Sequence, residues 1–229
     1  MPSAGKKARA SGQRPKADVL VVGGGRFGRL AVARLGGRVL AVAEPHPSAQ
    51  LMAAGIPVIR RDGAAAAAEL IQADRPPAWV VPALPRHFLT DWLKIVLPDF
   101  RFKTVAFPRA ALPPVASLNK GSAGQYYLSL ADSICPDDCP EPAGRCTLTG
   151  LPRKEPLFKM LAGLKVPGWR TVVLRSHQLA PGVGGIKTAE MKALARAIAR
   201  KPGRLILATA CRCHGVAQGL ELAPKLEKE

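Results

Sequence analysis

The sequence predicts an α/β fold, a doubly wound parallel sheet covered by helices on both faces and broken by a long cysteine-containing insertion. Three observations carry that expectation. Short runs of Val, Leu, Ile and Ala alternate with helical stretches along most of the chain, as in β-α units whose strands are buried on both faces. Glycines fall as G-x-G-x-x-G directly after the first apolar run. A segment of about 50 residues shows neither pattern and holds three of the five cysteines, too long for an ordinary connection.

The elements follow in order. "DVLVVG" (18–23) reads as a strand and "RFGRLAVARLG" as the helix after it. "RVLAVAE" (38–44) is a second strand, and "PSAQLMAAG" (47–55) a short helix ending at glycine, the residue that best closes a helix. "PVIR" (57–60) is the third strand, and "GAAAAAELIQA" (63–73) is helical because alanine favours helix most. "AWVVPAL" (78–84), "RHFLTDWLKIVL" (86–97) and "FKTVAFP" (102–108) read as strand, helix and strand. After the irregular stretch, "PLFKMLAGL" (156–164) is helical and "RTVVLRS" (170–176) a sixth strand. "KTAEMKALARAIAR" (187–200) is an amphipathic helix and "RLILATA" (204–210) a seventh strand. The expected organisation is a basic disordered tail over 1–17 and a dinucleotide-binding half over 18–108. An irregular insertion over 109–168 follows, and strands and a helix over 169–229 complete the sheet.

Hydrophobic residues make up 48% of the 229, a globular share, and no apolar run approaches the roughly 18 residues that cross a bilayer. The opening "MPSAGKKARASGQRPKAD" is basic without a secretory apolar stretch, so the expected compartment is the cytoplasm. There the cysteines are expected as reduced thiols or metal ligands rather than disulfides. Lys and Arg number 34 against 16 Asp and Glu, and the net charge of +18 attracts nucleotides, nucleic acid or an acidic partner. Aromatic residues are only 5%, poor for stacking single-stranded nucleic acid, and no nucleic-acid-binding signature is present. The expected partners are a dinucleotide and, at the surface, an acidic protein or a second copy of the chain.

Gly23, Gly25 and Gly28 each have a mechanical role: a tight turn, close approach of backbone to a pyrophosphate, and close helix–strand packing. Arg26 and Phe27 fill the variable places, and the helix start offers N–H groups to phosphate. Glu44 closes the second strand about 20 residues on, where an acid accepts ribose hydroxyls and disfavours a 2′-phosphate. This is a Rossmann-like arrangement, and the expected cofactor is NAD(H) rather than NADP(H). "VLVVGGGRFGRLAVARL", "VAE" and "GIPVIRRDGA" resemble the NAD-binding domains that regulate bacterial potassium uptake, over about residues 18 to 108. The resemblance implies NAD binding and a regulatory role. Those domains carry a Gly-Asp pair after the third strand, whereas Arg61 precedes Asp62 here. Similar fingerprints occur in many oxidoreductases.

Cys135, Cys139 and Cys146 are spaced C-x3-C-x6-C, and Cys211, Cys213 and His214 form "CRCH" after the seventh strand. A segment without core residues needs another staple, and a metal supplies one. Four of these six ligands would close a tetrahedral zinc site or hold an iron–sulfur cluster, the "CPDDCP" stretch sharing the Cys-Pro of bacterial ferredoxins. Unligated thiols are the third reading. The fingerprint turn, "CRCH" and "SHQ" (176–178) are all expected at the carboxyl edge of one sheet, where ligands collect. His177 there is a candidate proton donor beside a nicotinamide. "APGVGGIK" (180–187) is either an anion-facing glycine turn or a plain flexible one.

The leading expectation is an NAD(H)-binding oxidoreductase or electron-transfer component with a cysteine-held iron–sulfur cluster or zinc. The alternatives are a non-catalytic NAD-responsive regulatory subunit stapled by zinc, and a basic protein binding nucleic acid or an acidic partner.

Overall fold

The computed structural model describes residues 17–225. The basic tail expected over residues 1–17 therefore lies, except for Ala17, outside the described residues. The strands are β1 (Val19–Val22), β2 (Val39–Ala43), β3 (Val58–Ile59), β4 (Trp79–Pro82), β5 (Phe100–Thr104) and β6 (Ser117–Lys120). They continue as β7 (Tyr126–Ser129), β8 (Arg170–Arg175), β9 (His177–Ala180), β10 (Val183–Lys187), β11 (Gly203–Ala210) and β12 (His214–Pro224). The helices are α1 (Arg26–Leu35), α2 (Ala49–Met52), α3 (Gly63–Gln72), α4 (Phe88–Val96), α5 (Leu157–Ala162) and α6 (Thr188–Arg200).

The strands form two mixed sheets. The first has the order β3-β2-β1-β4-β10-β9, with β1 to β4 parallel and β10 and β9 antiparallel additions. The second has the order β6-β7-β12-β11-β8, and β5 also pairs with β12; only β8 and β11 run parallel there. The expectation of one doubly wound parallel sheet is thus corrected: of the C-terminal strands, β9 and β10 join the first sheet, whereas β8, β11 and β12 build the second. The physical reason is that a continuous apolar run such as "RLILATA" suits any central strand, and hydrophobicity does not say which sheet it joins.

Residue alternation builds the layers. Val19 and Val21 face α1, whereas Leu20 and Val22 face α3 and α4. The same core takes in α6 and Leu205, Leu207, Leu220 and Leu222 of the second sheet, so these helices lie between the sheets. Ile206, Ala208 and Ala217 point the other way, onto α5. The layers run α1, first sheet, central helices, second sheet, α5. Asp62 caps α3, accepting from the Ala64 and Ala65 N–H groups (2.9 and 3.1 Å), and pairs with Arg86. Between α4 and the second sheet, buried His87 meets Thr209 (3.1 Å) and Thr90 (3.3 Å), and Thr90 donates to Gln218 (2.8 Å). No helix among the described residues is long and apolar enough to cross a membrane.

Candidate functional site

The three glycines meet three different surroundings. Gly23 has φ +98, and a Cβ there would lie 2.6 Å from the Ala83 carbonyl oxygen. Gly28 packs so tightly that a Cβ would overlap the Gly23 carbonyl oxygen. Gly25 faces open space, with nothing within 4 Å of a Cβ. No side chain caps α1 and its first turn holds no acid, so its leading N–H groups remain available to an anion. Glu44 folds onto this turn, its carboxylate accepting from the Gly24 N–H (2.8 Å) and the His46 N–H (2.9 Å).

Arg26 and Phe27 open onto a cavity of about 570 Å³. Its other walls bring Cys135 and Cys139, then Ser176 and Gln178, then Cys211, Cys213 and His214. "CRCH" is the turn between antiparallel β11 and β12, closed by the Cys211 N–H donating to the His214 carbonyl (2.9 Å). It and Ser176 follow the parallel pair β11 and β8, not a strand of the first sheet. Two carboxyl edges, one from each sheet, therefore face each other where one shared edge was expected. A second cavity of about 450 Å³ runs along Gly25 and Val81–Pro85 and shares Arg26, Phe27 and Gly182–Gly184 with the first. A third, about 430 Å³, holds Cys146, Thr149 and Arg153 and adjoins the first at Ala131 and Asp132.

Polar clamps rather than a core hold the first cysteine segment. Arg26 donates to Asp137 (2.6 Å), and Arg34 to the Asp137 and Pro181 carbonyls. The Cys139 carbonyl accepts from the Gly182 N–H (3.1 Å) and from Gln178 (2.7 Å), and Glu141 accepts from the Arg212 N–H. Gly182 is required there, since φ is +67 and a Cβ would overlap the Asp137 carbonyl oxygen. "APGVGGIK" is thus the turn and second strand of the β9–β10 hairpin.

The sulfurs differ in environment. Cys211 Sγ accepts from the Cys213 and His214 N–H groups (3.4 and 3.3 Å) and lies 4.0 Å from His214 Nδ1. Burial, then the Glu141 charge, pushes this thiol up to about 12. Burial also pushes Cys213 up to about 11, with Arg153 opposing and Glu141, Cys139 and Cys135 adding to the rise. Cys135 is raised by burial and by Cys139 and Cys146. Cys146 is instead pulled down to about 6, first by the Thr149 hydroxyl and then by the Thr149 and Leu148 N–H groups. The four thiols of Cys135, Cys139, Cys146 and Cys213 thus form a chain of electrostatic neighbours, and Cys139 Sγ lies 3.5 Å from Thr147 Oγ1. All five cysteines are free, and among the described residues no three His, Cys, Asp or Glu side chains stand close enough to hold one ion.

His177 lies outside the cavity. Strand alternation turns Ser176 and Gln178 into it, while the His177 ring packs edge-on against Trp79 (5.4 Å) and faces Glu190 (3.8 Å). Burial and the Arg175 charge push its imidazole down. The "SHQ" stretch reaches the cavity as expected, but through Ser176 and Gln178 rather than His177. Sequence reasoning missed Asp137, Glu141 and Arg153, which no local pattern marks.

The family model described as "Uncharacterized protein, C-terminal domain" matches residues 86–223. That span begins after the fingerprint and contains all five cysteines. An uncharacterized protein of Archaeoglobus fulgidus is similar, 29% identical over 150 residues, which cover 64% of this chain and 66% of the relative. No solved structure matches.

Proposed function

The chain belongs to the family of that uncharacterized C-terminal domain, and we propose that it binds NAD(H) beside a cysteine-held metal, as an oxidoreductase or electron-transfer component. The observation that carries this reading is the continuity of the cavities. Arg26 and Phe27 of the fingerprint line the same space as Cys135, Cys139, Cys211, Cys213 and His214. The parallel order β3-β2-β1-β4 is that of a mononucleotide-binding half, which supports a Rossmann-like reading of the first sheet. Open space at Gly25 leaves room for a pyrophosphate, and the uncapped start of α1 supplies donors to it. Glu44, negative beside that turn, disfavours a 2′-phosphate.

The donor set fits a soft or borderline ion. Two backbone N–H groups donate to Cys211 Sγ and partly offset the burial that raises its thiol, as hydrogen bonds to ligating sulfur do in metal centres, while the Cys146 thiol is pulled down. The side chains must draw together to ligate, and four of Cys135, Cys139, Cys146, Cys211, Cys213 and His214 suffice. Zinc there would act as Lewis acid or staple, and a cluster as electron relay. At the start of α1, Arg26 and Phe27 stand where they would meet the dinucleotide.

Anaerobic purification, metal analysis and calorimetry with NADH and NADPH test the reading. It expects brown protein with iron and sulfide, or colourless protein with stoichiometric zinc, and tighter binding of NADH than of NADPH. Metal-free protein that binds neither nucleotide would overturn it.

A further inference from the structure

Residues 132–141, "DSICPDDCPE", hold four acids and no Lys or Arg on a chain of net charge +18. Asp132, Asp137 and Glu141 line the first cavity together with Arg26, so carboxylates face the start of α1. Asp137 reaches it. Its carboxylate accepts from the Arg26 guanidinium at 2.6 Å, and that guanidinium lies over the Phe27 ring (5.5 Å). Arg26 also lines the second cavity, beside Gly25. The backbone on either side of this ion pair is tied to the first sheet as well. Arg34 of α1 donates to the Asp137 and Pro181 carbonyls, and Gln178 and the Gly182 N–H both donate to the Cys139 carbonyl (2.7 and 3.1 Å). The cysteine segment is thus a strap fastened over the start of α1, and one of its fasteners is the arginine of the glycine turn.

We propose that this strap and a ligand's phosphate compete for Arg26. Asp137 holds the guanidinium when the strap is fastened, and a phosphate seated at Gly25 takes it over and loosens the strap. A carboxylate and a phosphate beside one guanidinium repel each other, so each weakens the other's hold. The coupling is reciprocal: the factor by which docked Asp137 lowers ligand affinity is the factor by which ligand loosens Asp137. The Arg26 and Asp137 side chains are 71% and 37% exposed, and an ion pair that open to water carries a factor of only about 2- to 5-fold. Nucleotide at the first sheet therefore changes how firmly Cys135 and Cys139 are held at the cavity. The inference rests on the nucleotide reading above and adds what occupation of that site does to the cysteine segment.

The test is calorimetry with NADH on the full chain as wild type, Asp137→Asn and Asp138→Asn, with limited proteolysis of residues 133–141 with and without saturating NADH. Asp138 is the control, an exposed neighbour of equal charge that makes no ion pair among the described residues. Asp137→Asn should bind NADH about 2- to 5-fold more tightly than wild type, and Asp138→Asn as wild type does. NADH should speed cleavage of the wild-type segment by a similar factor, since cleavage tracks the open population, and should change that of Asp137→Asn little. Equal affinity in wild type and Asp137→Asn overturns the inference and leaves the nucleotide reading standing. A gain in Asp138→Asn as large as in Asp137→Asn would mean overall charge rather than the ion pair, and also overturns it. Slower cleavage of wild type with NADH would mean a lid that closes on the ligand, and overturns it too. NADH binding by Asp137→Asn but not by wild type supports it. Binding by neither overturns the nucleotide reading and this inference together.

Discussion

Replacing Gly25 with valine should separate dinucleotide binding from folding. The backbone there has φ −67, open to any residue, and a Cβ meets no heavy atom within 4 Å. Valine is a poorer residue than glycine at a helix N-cap, so the expected cost is about 1 kcal/mol. For a chain of this size that lowers Tm by about 2–4 °C. Gly28→Ala is the contrast, because its Cβ overlaps the Gly23 carbonyl oxygen. Backbone does not yield as a side-chain tip does, so this small overpacking should cost about 3 kcal/mol, a Tm drop of about 6–12 °C. Gly23→Ala should fall between, from left-handed strain of about 1–2 kcal/mol and the 2.6 Å approach to Ala83. Thermal denaturation followed by circular dichroism gives the order, and calorimetry with NADH gives binding. Gly25→Val should stay folded and lose NADH binding. A Gly25→Val variant that binds NADH as wild type does would refute the pyrophosphate reading of this turn. Gly28→Ala melting with wild type would refute the packing argument.

Glu44→Gln keeps an acceptor for the Gly24 N–H but loses the charge, so the preference for NADH over NADPH should narrow in calorimetry; an unchanged ratio would remove Glu44 from cofactor selection. Burial pushes His87 down to about 4, with the Gln218 amide partly opposing. The unfolded chain therefore takes up a proton near pH 6.5 that the fold refuses, and stability falls as pH drops from about 6.5 toward 4, by about 2 kcal/mol between pH 7 and 5. Urea melts of wild type and His87→Gln at both pH values measure this, and equal pH dependence of the two would contradict it. Gly182→Val forces an L-residue to φ +67 against the Asp137 carbonyl. It should lift the cysteine segment and speed proteolysis around residues 133–141, and wild-type resistance would show that the clamp does not depend on that approach.

The turn was legible because its geometry is local: Gly23 and Gly28 are held by close approaches to backbone carbonyls, and Gly25 faces open space. The core runs of β1, β2, β4 and β11 were legible for the same reason, as continuous apolar strands. Their assignment to sheets was not, since it depends on pairings such as Leu220 with Thr104 across more than a hundred residues. The strand β12 was hidden by Gly215 and Gly219, which read as loop residues. Gly219 is small because a Cβ would meet the Val105 carbonyl oxygen, a constraint visible only once β5 is beside it. "APGVGGIK" hid β10 likewise, Gly185 making room for Leu179. The approach of the two cysteine clusters was anticipated from strand ends on one sheet. Both clusters do leave one sheet, the first after β7 and the second at the β11–β12 turn, where Ser129 pairs with His214 and the Leu130 N–H donates to the Cys213 carbonyl (2.9 Å). What no spacing in the chain encodes is that the fingerprint turn facing them belongs to the other sheet.

Metal content of separate Cys139→Ser and Cys211→Ser variants, purified anaerobically beside wild type, tests the central claim most directly. Cys139 and Cys211 lie on different segments that line one cavity. One shared centre predicts that each substitution lowers bound metal and exposes residues 110–155 to protease, because the loss of either ligand frees the same staple. Full metal content in the Cys211→Ser variant together with loss in Cys139→Ser would contradict it, leaving the two clusters as neighbours that do not share an ion.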